Sequence, residues 1–321
     1  MRTRTYPRTG WPISEIGYGM WGLGGWTGSD DHETLASLHE AVALGCTFFD
    51  TAWAYGAGHS ERLLRDVLRA HPDRTLHVAT KVPPKNQRWI QLDDFTLDDV
   101  FPADHIRQFT ERSLENLGVN AIDVQQLHAW SDRWAGDDRW KRVMDDLKRE
   151  GLVRSWGISV NRWESTNVLK ALDSGLIDSV QVVYNIFDQA PEDELFPYCQ
   201  QHGIAVIARV PFDEGSLTGT LTATTKWPQG DWRNMYFTPA HLAETLEHVQ
   251  ALKAAVPPGS TLAETALRFI LQHPAVTTVI PGMRKLANVR ANIGVSDGRP
   301  LASPVMTALK AHRWERDWVV P

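Results

Sequence analysis

The chain has 321 residues, with 39 acidic against 33 basic side chains, a formal net charge of -6 and a pI near 6.1. Without any block of like charge, that balance argues against nucleic acid as a partner. Cys46 and Cys199, each in an apolar context, read as buried free thiols and not as a disulfide framework or a catalytic thiol, and no stretch reaches the roughly 20 apolar residues of a membrane span, so the expected location is the cytoplasm.

Residues 1–15 are polar, with Pro7, Gly10 and Pro12 as turn residues, and suit a small hairpin that plugs one end of a barrel. From residue 16 to residue 294, short apolar runs alternate with segments of helical period, the pattern of a parallel sheet flanked by helices. The predicted strands are Ile16–Gly19, Thr47–Phe49, His77–Thr80, Val124–Leu127, Trp156–Ile158, Ser179–Val183, Ile204–Ala208 and Thr278–Ile280. Helix starts are marked by the capping-box spacings Asp30-x-x-Glu33 and Thr261-x-x-Glu264 and by Pro191 and Pro239. Helix ends are marked by Gly45, Gly118, Gly175 and Gly203. The tail from Pro300 onward, with Trp314 and Trp318, is expected to pack across the barrel towards the substrate pocket.

The connections are unequal. Helix-to-strand links are short, whereas the strand-to-helix links Val82 to Phe101, Ala129 to Asp138 and Pro211 to Thr238 are long. In an eight-stranded parallel (β/α)8 barrel the long loops share the end where sites are built. The whole chain, 1–321, is therefore expected to be one barrel domain with an N-terminal hairpin and a C-terminal tail.

Three successive predicted strands end in Asp50, Lys81 and His128, and Tyr55 follows the first of them by five residues. Taken singly, each has an ordinary explanation as a turn former, a solvated cation or a core imidazole. Taken together, they would place a phenol beside an ammonium, the ammonium beside a carboxylate, and an imidazole opposite. A tyrosine is a poor acid near neutrality, and a cation at its side favours phenolate. Lys81 would be that cation, Asp50 would hold its charge, Tyr55 would donate a proton and His128 would orient a carbonyl oxygen. His59, His71, His77, His105 and His128 show no ligand spacing, so no metal is expected.

Asp50-Thr51-Ala52-x-x-Tyr55-Gly56, together with Lys81 and His128, resembles the aldo-keto reductase superfamily, and the likeness runs from Ile13 to Asn292. That resemblance implies a barrel enzyme reducing aldehydes or ketones with NADPH, or with NADH, and Tyr55 as general acid. It also implies a cofactor bordered by Gly19, Met20, Trp21 and Asp50, with Ser159, Asn161 and Gln181 on the nicotinamide carboxamide. The loop Arg209-Val210-Pro211-Phe212, with Gly215 and Leu217, would cover the pyrophosphate. Ile280, Gly282, Met283, Arg284, Asn288 and Asn292 would face the adenosine end, with Arg284 on a 2′-phosphate. Arg209 departs from the family, standing where many relatives place an aromatic residue. Trp21, Trp53, Tyr55, Trp89, His128 and Trp130 are the expected lining of an apolar pocket for a small-molecule carbonyl substrate, with bulky or aromatic aldehydes and ketones as candidates. Two other functions remain open to the sequence: a regulatory subunit that senses nicotinamide redox state, and a Schiff-base lyase with Lys81 as nucleophile.

Overall fold

Side chains alternate across a strand with period two, so the register of each strand decides what it carries into the barrel. The computed structural model describes residues 1–25, 28–91, 94–162, 164–316 and 318. A hairpin of β1 (Thr3–Tyr6) and β2 (Trp11–Ser14) comes first, with Pro12 inside β2 opposite Thr5 rather than in the turn. The strands that follow are β3 (Tyr18–Gly19), β4 (Phe48–Asp50), β5 (His77–Val82), β6 (Ile122–Leu127), β7 (Val153–Ser159), β8 (Ser179–Val183), β9 (Ala205–Arg209) and β10 (Val276–Val279). They form one eight-stranded sheet in sequence order, every pairing parallel. The sheet curls on itself: Ile16 bridges Val279, and Gly19 bridges Gly282. The closing hydrogen bonds run from Gly17 N to Val279 O (2.8 Å), from Gly19 N to Pro281 O (3.0 Å) and from Val279 N to Glu15 O (3.0 Å).

The sequence places the strands correctly, Ser179–Val183 at both ends, and misses one or both ends of the others by one to three residues. The first is the most reduced, because Ile16 and Gly17 pair only in the barrel seam and leave Tyr18–Gly19 as regular strand.

Two apolar layers follow from the alternation. Outward residues such as Phe49, Val78, Leu127, Ile158, Val180 and Val206 join the core between sheet and helices. Inward residues Phe48, Ala79, Val124, Ala205 and Ile207 pack with Tyr6 and Ile13 of the hairpin, which therefore closes the barrel floor. Tyr6 is fully buried, its hydroxyl 3.0 Å from Ser155 Oγ, and Trp11 stacks on His77. Helix Ala103–Leu117 is typical of the outer ring, burying Ile106, Phe109, Thr110, Ser113 and Leu117 along one stripe. The expected caps form: Asp30 accepts from Glu33 N, Thr261 accepts from Glu264 N, and Gly118 and Gly203 end helices in the left-handed region. No helix among the described residues is long and apolar enough to cross a membrane.

Two residues further along each inward row from that floor lie Asp50, Lys81, Gln126, Ser159, Gln181 and Arg209, with His128 next beyond Gln126. The apolar floor thus hands over to a polar rim within one side-chain step. The elaborated loops are at this rim, after β5, β6 and β9. The C-terminal tail reaches it too: Trp314 N donates to Phe187 O at 2.9 Å, and Trp318 packs on Tyr236 and His241. Residues 319–321 lie outside the described residues.

Closure depends on close approach at Gly19, where an added Cβ would stand 2.5 Å from Ile280 O. Gly19→Ala must therefore push two backbones apart. The expected cost is about 1–3 kcal/mol, read as a lower urea midpoint with an unchanged m-value.

Candidate active site

Asp50 and Lys81 are buried side by side on the inner faces of β4 and β5. Lys81 Nζ donates to Asp50 Oδ1 at 2.7 Å and to Thr51 O at 2.7 Å. The other carboxylate oxygen, Oδ2, accepts from Gln181 Nε2 at 2.6 Å and from Gln126 Nε2 at 3.3 Å. Two further strands, β6 and β8, thus help to fix one carboxylate. A buried pair is tolerable only when its remaining lone pairs and protons are satisfied in this way. Burial pulls the Lys81 ammonium below its ordinary range, and Asp50 is the main force holding its charge.

Tyr55 enters from the turn after β4, with its N donating to Ala52 O at 3.0 Å. Its ring centroid lies 5.2 Å from Lys81 Nζ and 5.7 Å from the His128 ring, edge-on at 73°. The four titratable groups expected from the sequence are therefore brought together. Their electrostatics differ from the expectation. Burial pushes the Tyr55 phenol up, Asp50 pushes it further, and Arg209 is the cation that opposes them. Burial and Asp50 outweigh the neighbouring cations, so the phenol is not acidified at rest. His128 is held well below its ordinary range by burial first, then by Lys81 and Arg209, and is a neutral imidazole at neutral pH. Its Nδ1 is buried with no hydrogen-bond partner among the described residues.

Ser159, at the end of β7, pairs with Gln181 in the middle of β8. Arg209, at the end of β9, reaches across this pair, with Nη2 donating to Val160 O at 3.0 Å. The chain then bends sharply: Val210, Asp213 and Glu214 have φ of 55°, 45° and 54°, and Gly215 has 110°. Left-handed conformations at a β-branched valine and two acids are strained and persist only where surroundings impose them. Here a charge network does so. Arg162 contacts Asp188 (3.0 Å), Asp213 (2.6 Å) and Glu214 (3.6 Å). Arg316 of the tail contacts Asp188 and Asp213, each at 3.1 Å, while Tyr236 and Ser216 donate to Asp213. Pro211 and Leu217 are buried beneath this loop, and Phe212 is half-buried.

At the seam, Ile280 and Met283 are buried, Gly282 is exposed with open space around it, and Arg284 is half-buried. Asn292 is buried and Asn288 exposed on the following helix. Met20 is buried beside Asp50, its N donating to Asp50 O at 2.9 Å. Of the tryptophans, Trp89 meets the His128 ring at 4.7 Å and is 51% exposed, so it is an adaptable edge of the rim. Trp21 is also exposed. The Trp53 ring packs instead on Phe109, and the Trp130 ring is buried against Trp134 and Trp140.

Sequence reasoning missed Gln126 and the network of Arg162, Asp188, Asp213 and Arg316. Gln126 was within reach, since it lies two residues before His128 and so shares its inward face. Arg316 carried no local signal, because its partners lie over 100 residues away.

The Aldo/keto reductase family model matches residues 15–313. The chain is 30% identical over 315 residues to an uncharacterized oxidoreductase, YqkF, of Bacillus subtilis, covering 97% of this chain and 96% of that protein. It is 29% identical over 301 residues to the NADH-specific methylglyoxal reductase of Escherichia coli, covering 88% and 89% of the two chains. The fold matches that of the aldo-keto reductase AKR11C1 from Bacillus halodurans in its holo form, with a TM-score of 0.78, 26% identity and 99% of each chain covered. The chain belongs to the aldo/keto reductase family and is an NAD(P)H-dependent oxidoreductase.

Two measurements check these electrostatics. Lys81→Met and Asp50→Asn should each destabilise by about 3–5 kcal/mol, and the double variant by clearly less than their sum, as urea unfolding would show. For His128, the unfolded imidazole takes up a proton below about pH 6.5 while the folded one does not, so its contribution to stability is lost as pH falls below that value. Between about pH 6.5 and 5, His128→Gln should flatten the stability curve by up to about 1.4 kcal/mol per pH unit.

Proposed function

We propose that this protein reduces small aldehydes or ketones to alcohols, with Tyr55 as the proton donor and NADPH as the preferred coenzyme. The supporting observation is the buried Lys81–Asp50 pair at the foot of Tyr55, with neutral His128 across from it. The rim also fits a dinucleotide. Ser159, Asn161 and Gln181 offer donors and acceptors for a carboxamide, the loop from Val210 to Gly219 offers backbone donors to an anion, and Gly282 leaves open space beside Arg284. When bound, the reduced nicotinamide supplies hydride to the carbonyl carbon.

The protein's own part is protonic and electrostatic. A neutral His128 can donate a hydrogen bond to the carbonyl oxygen without competing for its proton. Tyr55, kept protonated by burial, gives its proton to that oxygen as negative charge develops there. The resulting phenolate is stabilised by Lys81 and Arg209, so the groups that make Tyr55 a reluctant acid at rest are opposed when charge moves. Tyr55, His128 and the ring of Trp89 border the space offered to the reacting oxygen. NADPH preference rests on Arg284, a cation at the seam suited to an extra phosphate. The NADH-specific E. coli relative makes NADH the alternative coenzyme.

Tyr55→Phe should lower kcat by about 10²- to 10⁴-fold while leaving the Kd for NADPH within about twofold, measured by carbonyl-dependent loss of reduced-nicotinamide absorbance and by titration. Normal turnover by this variant would overturn the role of Tyr55; tight coenzyme binding without turnover of any carbonyl by the unaltered protein would favour a redox sensor. Arg284→Ala should weaken NADPH by about tenfold, close to 1.4 kcal/mol, and leave NADH unchanged.

A further inference from the structure

Lys81, Arg162, Arg209 and Arg316 are buried or half-buried at the rim, and three of them have carboxylate partners. Lys81 has Asp50, while Arg162 and Arg316 share Asp188 and Asp213. Arg209 differs. Among the described residues no carboxylate oxygen lies within 4.0 Å of its guanidinium; its hydrogen bond goes to Val160 O, and its Nε is buried with no partner. The carboxyl group that acts on it most, Glu214, lies 3.6 Å from Arg162 and is itself pushed towards its neutral form by burial. Burial and the like charge of Arg162 both work against the Arg209 cation. A lysine in this place could shed its proton; a guanidinium cannot. The rim therefore carries one guanidinium charge with no carboxylate in direct contact with it.

Its position gives that charge a target. Arg209 ends β9, and its Nη2 crosses to the main chain between Ser159 and Asn161. On the reading proposed above, those two side chains hold the nicotinamide carboxamide, so the ring they hold lies against the guanidinium. A nicotinamide ring is uncharged when reduced and carries one positive charge when oxidised. The same cation is tolerated by the first state and repels the second, and exclusion of water strengthens the difference. We propose that Arg209 discriminates between the oxidation states of the coenzyme, weakening the oxidised form relative to the reduced form. The protein would then load reduced coenzyme in the presence of excess oxidised coenzyme, and release the oxidised product readily. The overall equilibrium of the reaction is untouched; what changes is coenzyme exchange and inhibition by the oxidised product.

The test is a direct titration of the full chain with NADPH and with NADP⁺, followed by quenching of tryptophan fluorescence, for the unaltered protein, Arg209→Gln and Arg209→Lys. Arg209→Gln should lower the ratio Kd(NADP⁺)/Kd(NADPH) by about tenfold or more, equivalent to a fall of about 30 mV in the potential of the bound couple. Arg209→Lys should hold the ratio within about threefold of the unaltered protein at a pH low enough to keep the ammonium protonated, and the ratio should fall towards the glutamine value as pH rises and that proton is shed. Arg209→Tyr gives the same neutral test should the glutamine variant fail to fold. If removing the charge changes both Kd values by one factor, or neither, Arg209 is a packing contact and the proposal is wrong, while the coenzyme reading stands. If the unaltered protein binds neither nucleotide, the coenzyme reading fails, and the proposal with it.

Discussion

The organisation of the rim depends on one buried ion pair, Lys81 with Asp50. An ammonium and a carboxylate both removed from water cost several kcal/mol each unless every remaining proton and lone pair finds a partner. Here Thr51 O takes a second Lys81 proton, and the amides of Gln126 and Gln181 take the second carboxylate oxygen. Four strands, β4, β5, β6 and β8, are thereby tied to one point at the barrel mouth. Burial, with Asp50 beside it, outweighs the cations around Tyr55 and keeps the phenol protonated at rest.

The second organising feature is the charge network beneath the loop that follows β9. Strain at Val210, Asp213 and Glu214 is held by Arg162 from the loop after β7, by Asn185 and Asp188 from the loop after β8, and by Arg316 from the tail. Its members are mostly buried, so each ion pair is little screened by salt. This makes the tail part of the loop's support. Arg209 stands just inside this network without a carboxylate of its own, which separates it chemically from the arginines around it.

Much of the site was legible in the sequence because period-two alternation is a local rule. Once the strand ends at Asp50, Lys81 and His128 were identified, parallel pairing in order placed all three on one inner face, and the turn from Thr51 carried Tyr55 to them. Ser159, Gln181 and Arg209 came from the resemblance to the family, not from this rule. It could not reveal that Trp53 and Trp130 turn into the outer core, since a tryptophan beside a rim packs wherever the apolar space lies, and Phe109, Trp134 and Trp140 supply that space from distant helices.

By itself, the sequence determined the order of strands and helices, the hairpin, the end of the barrel that bears the long loops, and the family; these follow from patterns within a few residues of one another. Only the tertiary structure decided the protonation of the site. Whether a buried tyrosine, lysine, histidine or arginine keeps its ordinary charge depends on the depth of burial and on which carboxylate comes within hydrogen-bonding distance, and both are set by chains that meet from far apart in sequence. Asp50 meets Gln181, 131 positions away, and Asp188 meets Arg316, 128 positions away, because the barrel closes and the tail crosses it.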